Sequence, residues 1–372
     1  MARRNRKKVY KVKYPIDLAI DAGNGTTCVV TERTNPIVFP SVIQHVEDIR
    51  LGGIGTQRFT IHVEQKNTQT GEWKERKSFA VGETAQTMPG IKTRITSKER
   101  IGSEYQVILI LAGTVRALDE MIESQAEEFK VSVNWRLNIP PVYYRLVSKM
   151  FDLSGEYRVE YNKRSYIIDA DVAYVYPEGA GAGATYMLGQ TGQFVNMEFA
   201  NARIGVIDAG YRTIDLAIFE KGALIEDSGR SLTNSISGVY QLMQTWAAEE
   251  FDEDWTEEEC ETNLRNGHAI LKTSKEKVDL TEWIEDLGER LAELIDRDIF
   301  QKQWNDLGDV DRVILAGGGA YMVAPHLKDM YPNVIALREE YANTANVPYE
   351  LMNAIGHMRL LIAERAQQAK EE

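Results

Sequence analysis

Cysteine is nearly missing from this chain. Among 372 residues there are two, Cys28 and Cys260, and no metal-type spacing relates them. That count excludes a disulfide framework and leads us to expect a reducing compartment, the cytoplasm. Long apolar runs are lacking too. No stretch approaches the roughly 20 residues of a membrane span, and the basic N-terminus has none of the apolar core of a signal peptide. Positive charge is in deficit, with 43 Lys and Arg against 56 Asp and Glu, a formal net charge of −13. This argues against direct nucleic-acid binding by the folded body. The glycine-rich G-x-x-x-x-G-K-[ST] loop is also absent, which rules out a phosphate site of the Walker type.

What is present is ordinary in bulk and specific in detail. A hydrophobic content of 43% with 27% charged residues is enough for sizeable cores, and the length corresponds to two domains or slightly more. The informative stretch is residues 204–219, where an apolar run meets Asp208-Ala209-Gly210 and an alternating run follows from Thr213. This is the pattern of a β-hairpin whose tight connection carries a carboxylate, a glycine and a hydroxyl. Residues 18–30 repeat it, with Asp21-Ala22-Gly23 followed by Asn24-Gly25-Thr26-Thr27. A motif repeated once at long range predicts two domains of similar plan.

The chemistry of such a pair follows from its residue types. Glycine lets turn N–H groups approach phosphate oxygens, and Thr26, Thr27 and Thr213 can add hydroxyls. Asp21 and Asp208 would be repelled by phosphate, so they make sense facing a Mg²⁺ ion or its waters. A third signal, Gly317-Gly318-Gly319, stands between a predicted strand (310–316) and a predicted helix (320–330), where a flat ligand or sugar can lie on the backbone. A small-residue helix start, Gly179 to Ala184, is preceded by Glu178, a carboxylate at a strand-to-helix junction. Basic residues crowd 1–13, which reads as a solvated tail or as an electrostatic arm for DNA, an anionic membrane or a neighbouring acidic subunit, the last favoured by the acidic body. The acidic run from Asp252 to Glu261 reads as a solvated face. Residues 86–102 read as an exposed loop and 104–126 as a long helix.

These ordered motifs resemble those of the actin-like ATPase superfamily, over roughly residues 16–366. The two phosphate motifs resemble residues 21–27 and 208–215, the linking segment resembles residues 176–180, and the adenosine motif resembles residues 317–320. Leu137-Asn138-Ile139-Pro140-Pro141-Val142-Tyr143-Tyr144 is similar to the G-L-P-x-x-Y strand end of ParM-like plasmid-segregation proteins and their archaeal relatives. The resemblance implies an α/β actin-like fold of the duplicated ribonuclease H type, two domains each with a mixed sheet flanked by helices, and nucleotide in the central cleft. It implies a basic tail at 1–14, a first domain of 15–180 plus 346–372, and a second of 181–345.

On the same basis ATP is the cofactor, becoming ADP after hydrolysis, with Mg²⁺ held through water by Asp21 and Asp208. Glu178 and Asp208 are the catalytic candidates, Glu178 acting on the attacking water. Gly23, Asn24, Gly25, Thr26 and Thr27, with Gly210, Tyr211, Arg212 and Thr213, would bind phosphate. Gly317, Gly318 and Gly319 would face adenosine. The implied partners are further copies in a filament and a DNA-binding adaptor protein. Two departures stand out: Cys28 where many members have lysine, and Tyr211-Arg212 where small residues are usual. Arg212 either replaces the lost cation or points to solvent. A sugar or acid kinase would need a substrate base that the sequence does not display. A chaperone would need a large further domain, and a nucleotide switch without hydrolysis would leave Glu178 unexplained.

Overall fold

The computed structural model describes residues 9–46, 59–95, 98–197, 201–225, 227–232, 236–265, 270–272, 277–305, 308, 310–335 and 347–371. The chain divides into two compact units. One comprises residues 1–139 and 146–176, the other residues 140–145 and 177–372.

In the first unit the expected hairpin forms from strands Ile16–Ala22 and Thr26–Val30, antiparallel, with Asp21 opposite Cys28 and Ala22 opposite Thr27. Ile37–Pro40 adds to its outer edge, and Glu128–Ile139 runs parallel on its other side. The sheet continues through Arg164–Pro177, Gly155–Tyr161, Thr60–Gln65, Lys77–Val81 and Ile43–His45. Helix Glu104–Met121 starts where Ser103 accepts a hydrogen bond from the Gln106 N–H at 3.2 Å, an N-cap. Its Ile108, Leu111, Val115 and Leu118 are buried, and its Thr114 hydroxyl takes the indole N–H of Trp135 at 3.0 Å. A large aromatic of the sheet is thereby buried with its one donor satisfied.

The second unit repeats this plan. Arg203–Ala209 is antiparallel to Ile214–Glu220 and parallel to Arg312–Ala316, with Asp208 opposite both Asp215 and Ala316. Ala223–Leu224, Arg230–Leu232 and Val334–Ile335 extend the sheet. Its core packs Val206, Leu216, Val313 and Leu315 with Phe300 and Trp304. Helices Ala180–Met187, Thr281–Ile295, Ala320–Met330 and Met352–Glu371 belong to this unit.

Three features add to the expected layout. Helix Met352–Glu371, in the stretch that the resemblance assigns to the first domain, groups with the second compact unit. The cause is its hold on Ala180–Met187: the Thr185 hydroxyl donates to the Met352 carbonyl at 2.9 Å. Arg359 donates to the carbonyls of Thr185 and Leu188 at 2.7 and 2.8 Å. The boundary near 345 lies outside the described residues, as do residues 1–8 of the tail. Val9–Lys11, expected in that tail, is a strand running parallel to residues 128–130, with Tyr10 edge-on to Phe129. The stretch 86–102 is not wholly an exposed loop either. Arg100 closes a short 3-10 turn and is only 3% exposed.

Candidate functional site

The two Asp-Ala-Gly sequences build the same turn. In the first unit, a Cβ placed on Gly23 would meet the Thr26 carbonyl at 2.9 Å. In the second, one placed on Gly210 would meet the Thr213 carbonyl at 3.0 Å. The shared motif is therefore Asp-Ala-Gly-x-x-Thr, and its glycine is needed where the chain folds back on itself. Around the first turn, the Ser41 N–H donates to the Gly25 carbonyl at 2.8 Å, and the buried Arg100 guanidinium donates to the Ala22 carbonyl. Tyr105 donates to the Ser41 carbonyl, and burial pushes its phenol up to about 12. Arg100 and Tyr105 are supports that the sequence does not reveal, because a charged residue in a polar stretch gives no sign of burial.

Side chains of the first turn divide into those that are used and those left over. The Thr27 hydroxyl is fully buried and bonded to the Ser41 hydroxyl at 2.9 Å, so Thr26 alone of the pair keeps partial exposure. Cys28 is buried in the core, opposite Asp21 in the hairpin. In contrast, the buried Oδ1 of Asn24 and both amide atoms of Asn138 lack a hydrogen-bond partner among the described residues. Asn138 follows Leu137, which pairs with Ile20 next to Asp21. Four residues earlier in the same register, Asn134 donates to the Asp17 carboxylate at 3.2 Å. Buried polar atoms without partners call for a further polar partner, and this face of the first turn fits a hydrated ion or phosphate.

In the second unit the structure brings Glu178, Asp208 and the glycine loop onto neighbouring segments. Gly317 has φ of +82°, and a Cβ there would strike the Asp208 carboxylate and the Ala209 carbonyl, so the loop lies directly on the turn. The Gly319 N–H donates to the Ala209 carbonyl at 2.9 Å, and the Gly317 N–H to the Tyr349 carbonyl at 3.3 Å. Asn353, one residue into the C-terminal helix, donates from Nδ2 to Asp208 Oδ2 at 2.7 Å. Its Oδ1 accepts from the backbone N–H groups of Gly179 and Ala182, at 3.0 and 3.3 Å. Half-buried Glu178 sits immediately before Gly179. Nothing in the sequence signals Asn353, which lies far from the motifs it joins.

The remaining predicted phosphate residues are less uniform than their motif. Tyr211 is buried in a satellite core with Tyr240 and Met243, and its phenol donates to the Glu257 carboxylate. Only its backbone stays at the turn. Thr213 donates its hydroxyl to Asp215 Oδ2 at 2.7 Å, so this hydroxyl is engaged within the chain. Arg212 is exposed. Among the described residues no group of three His, Cys, Asp or Glu could hold a metal alone.

Comparison with known proteins bears on this arrangement. Residues 19–181 match the family model of the N-terminal domain of actin-like proteins, and residues 206–329 that of the C-terminal part of archaeal MreB-like actin homologues. Curated protein sequences yield no match. Among solved structures, the archaeal actin homologue Ta0583 in complex with ADP is similar at 17% identity and a TM-score of 0.68, covering 95% of this chain and 99% of its own. Bacillus thuringiensis ParM with ATP gives 17% and 0.66, over 96% and 100%. A 15-stranded ParM filament from Clostridium botulinum gives 19% and 0.65, over 96% and 100%.

Proposed function

Since this chain belongs to the actin-like superfamily, we propose that it is an ATPase that binds Mg-ATP and assembles into dynamic filaments, serving plasmid DNA segregation in the cytoplasm. The observation that carries the reading is the twice-built Asp-Ala-Gly-x-x-Thr turn, with the glycine loop clasped onto its second copy. Each turn would offer backbone N–H groups to phosphate, at Gly23, Asn24, Gly25 and Thr26 and at Tyr211, Arg212 and Thr213, while the Gly210 N–H is spent inside its own turn on the Asp208 and Thr213 carbonyls, both at 3.0 Å. Gly317, Gly318 and Gly319 offer a side-chain-free surface for adenosine. Asp21 and Asp208 would hold hydrated Mg²⁺, which would supply charge neutralisation on the phosphates. Glu178 orients the attacking water and accepts its proton, so the chemistry is positioning more than covalent work.

The nucleotide-bound and filamentous relatives support this reading, and a DNA-binding adaptor is the partner it requires. Right-angle light scattering of the purified protein after addition of Mg-ATP tests it. We expect a rise that decays as nucleotide is consumed. A flat trace at high protein concentration would replace filament assembly by small-molecule phosphoryl transfer or a partner-dependent switch.

A further inference from the structure

Helix Ala180–Met187 begins at Gly179, which has no side chain with which to cap it. The first N–H groups of a helix have no intrahelical acceptor and need one from elsewhere. Asn353 supplies it from another helix: its Oδ1 accepts from Gly179 N–H and from Ala182 N–H. This alone would be a structural cap. The other half of the same amide does something a cap does not need, donating from Nδ2 to Asp208 Oδ2 at 2.7 Å. The side chain is 4% exposed, so both halves are held out of water, where a hydrogen bond to a charged acceptor is strong and directional.

We propose that Asn353 is a positioning residue for metal-bound nucleotide: it fixes the Asp208 carboxylate in the orientation that receives the hydrated ion, and ties that orientation to the segment carrying Glu178. The bond to Oδ2 sets the rotation of the Asp208 carboxylate, and with it the direction that Oδ1 takes. Because the amide is planar, a shift of Gly179 moves Nδ2 and so moves the carboxylate. The Tyr349 carbonyl, four residues before Asn353, holds the Gly317 N–H, so the glycine loop shares the same anchor. One side chain thereby ties the ion site to the water-activating segment, and the chain just before it holds the adenosine loop.

This inference rests on the nucleotide reading above, and its test separates the two. Binding of a fluorescent ATP analogue is measured in Mg²⁺ and in EDTA for the wild type, N353A, D208A and the double variant. N353A is expected to weaken binding about tenfold in Mg²⁺ and less than twofold in EDTA, and to add nothing in the D208A background, the non-additivity expected of residues in contact. Equal losses in Mg²⁺ and EDTA, or an undiminished loss in D208A, would reduce Asn353 to a cap and overturn the proposal. Should N353A fail to fold, N353D keeps the acceptor for Gly179 and Ala182 while setting a carboxylate against Asp208. Its ratio of affinities with and without Mg²⁺ should then differ from wild type by about fivefold or more, and an unchanged ratio overturns the proposal. A wild type that binds no analogue in either buffer removes the nucleotide reading and the inference together, whereas a D208A that binds like wild type in Mg²⁺ leaves nucleotide binding standing and overturns the inference.

Discussion

At the scale of single residues, catalysis and binding separate most cleanly at Glu178. It sits between the end of a sheet strand and a helix whose start is held by Asn353, so its backbone is fixed while its side chain stays partly exposed. A positioned base contributes about 10²- to 10⁴-fold to a rate. Glu178→Ala should therefore slow phosphate release by a factor in that range while Mg-nucleotide affinity stays within about threefold. Phosphate release and analogue binding, measured on the same preparation, check it; full turnover would reassign the water-activating role. The residue scale also shows where sequence reading falls short. Asp21, Asp208 and their glycines are legible because turn chemistry restricts residue type strongly. Thr27 and Thr213 are legible as hydroxyls, but their engagement with Ser41 and Asp215 emerges only in the fold. Asn353 is invisible, because nothing local to residue 353 points to partners more than 140 positions away.

Most of the element order is legible, because alternation marks half-buried strands and helical spacing marks buried helix faces. What periodicity cannot give is the partner of an element, and the C-terminal helix is the example. Its placement follows from close approach: a Cβ on Gly356 would strike the backbone of Gly181, and one on Gly181 would strike that of Asn353. Two helices crossing backbone to backbone need glycine on both sides. Gly356→Ala should push them apart and destabilise the protein by about 1–3 kcal/mol, the usual cost of overpacking. The urea midpoint of the variant reads this directly at unchanged slope. Asn353 lies one turn away, so the same variant should also weaken Mg-nucleotide binding, whereas a midpoint equal to wild type would mean that the crossing has room to give.

For the molecule as a whole, the two units carry separate cores and one cysteine each. Cys28 is buried in the first sheet, 1% exposed, and Cys260 in the second unit, 0% exposed. Burial, reinforced by the Glu259 carboxylate, pushes the Cys260 thiol up to about 12, so little thiolate exists at about pH 8 even if reagent arrives. Neither cysteine should react with a thiol reagent in the native protein, and each becomes a reporter of the opening of its own unit. In urea, labelling followed by peptide mass should give one midpoint for Cys28 and a different one for Cys260, as expected of units with their own cores. A ligand that binds only the folded form raises the midpoint of whatever it binds. If both Asp-Ala-Gly-x-x-Thr turns grip the nucleotide, Mg-ATP raises both midpoints. A shift confined to Cys260 would leave the first turn, where Asn24 Oδ1 and the Asn138 amide have no hydrogen-bond partner among the described residues, to a different polar partner.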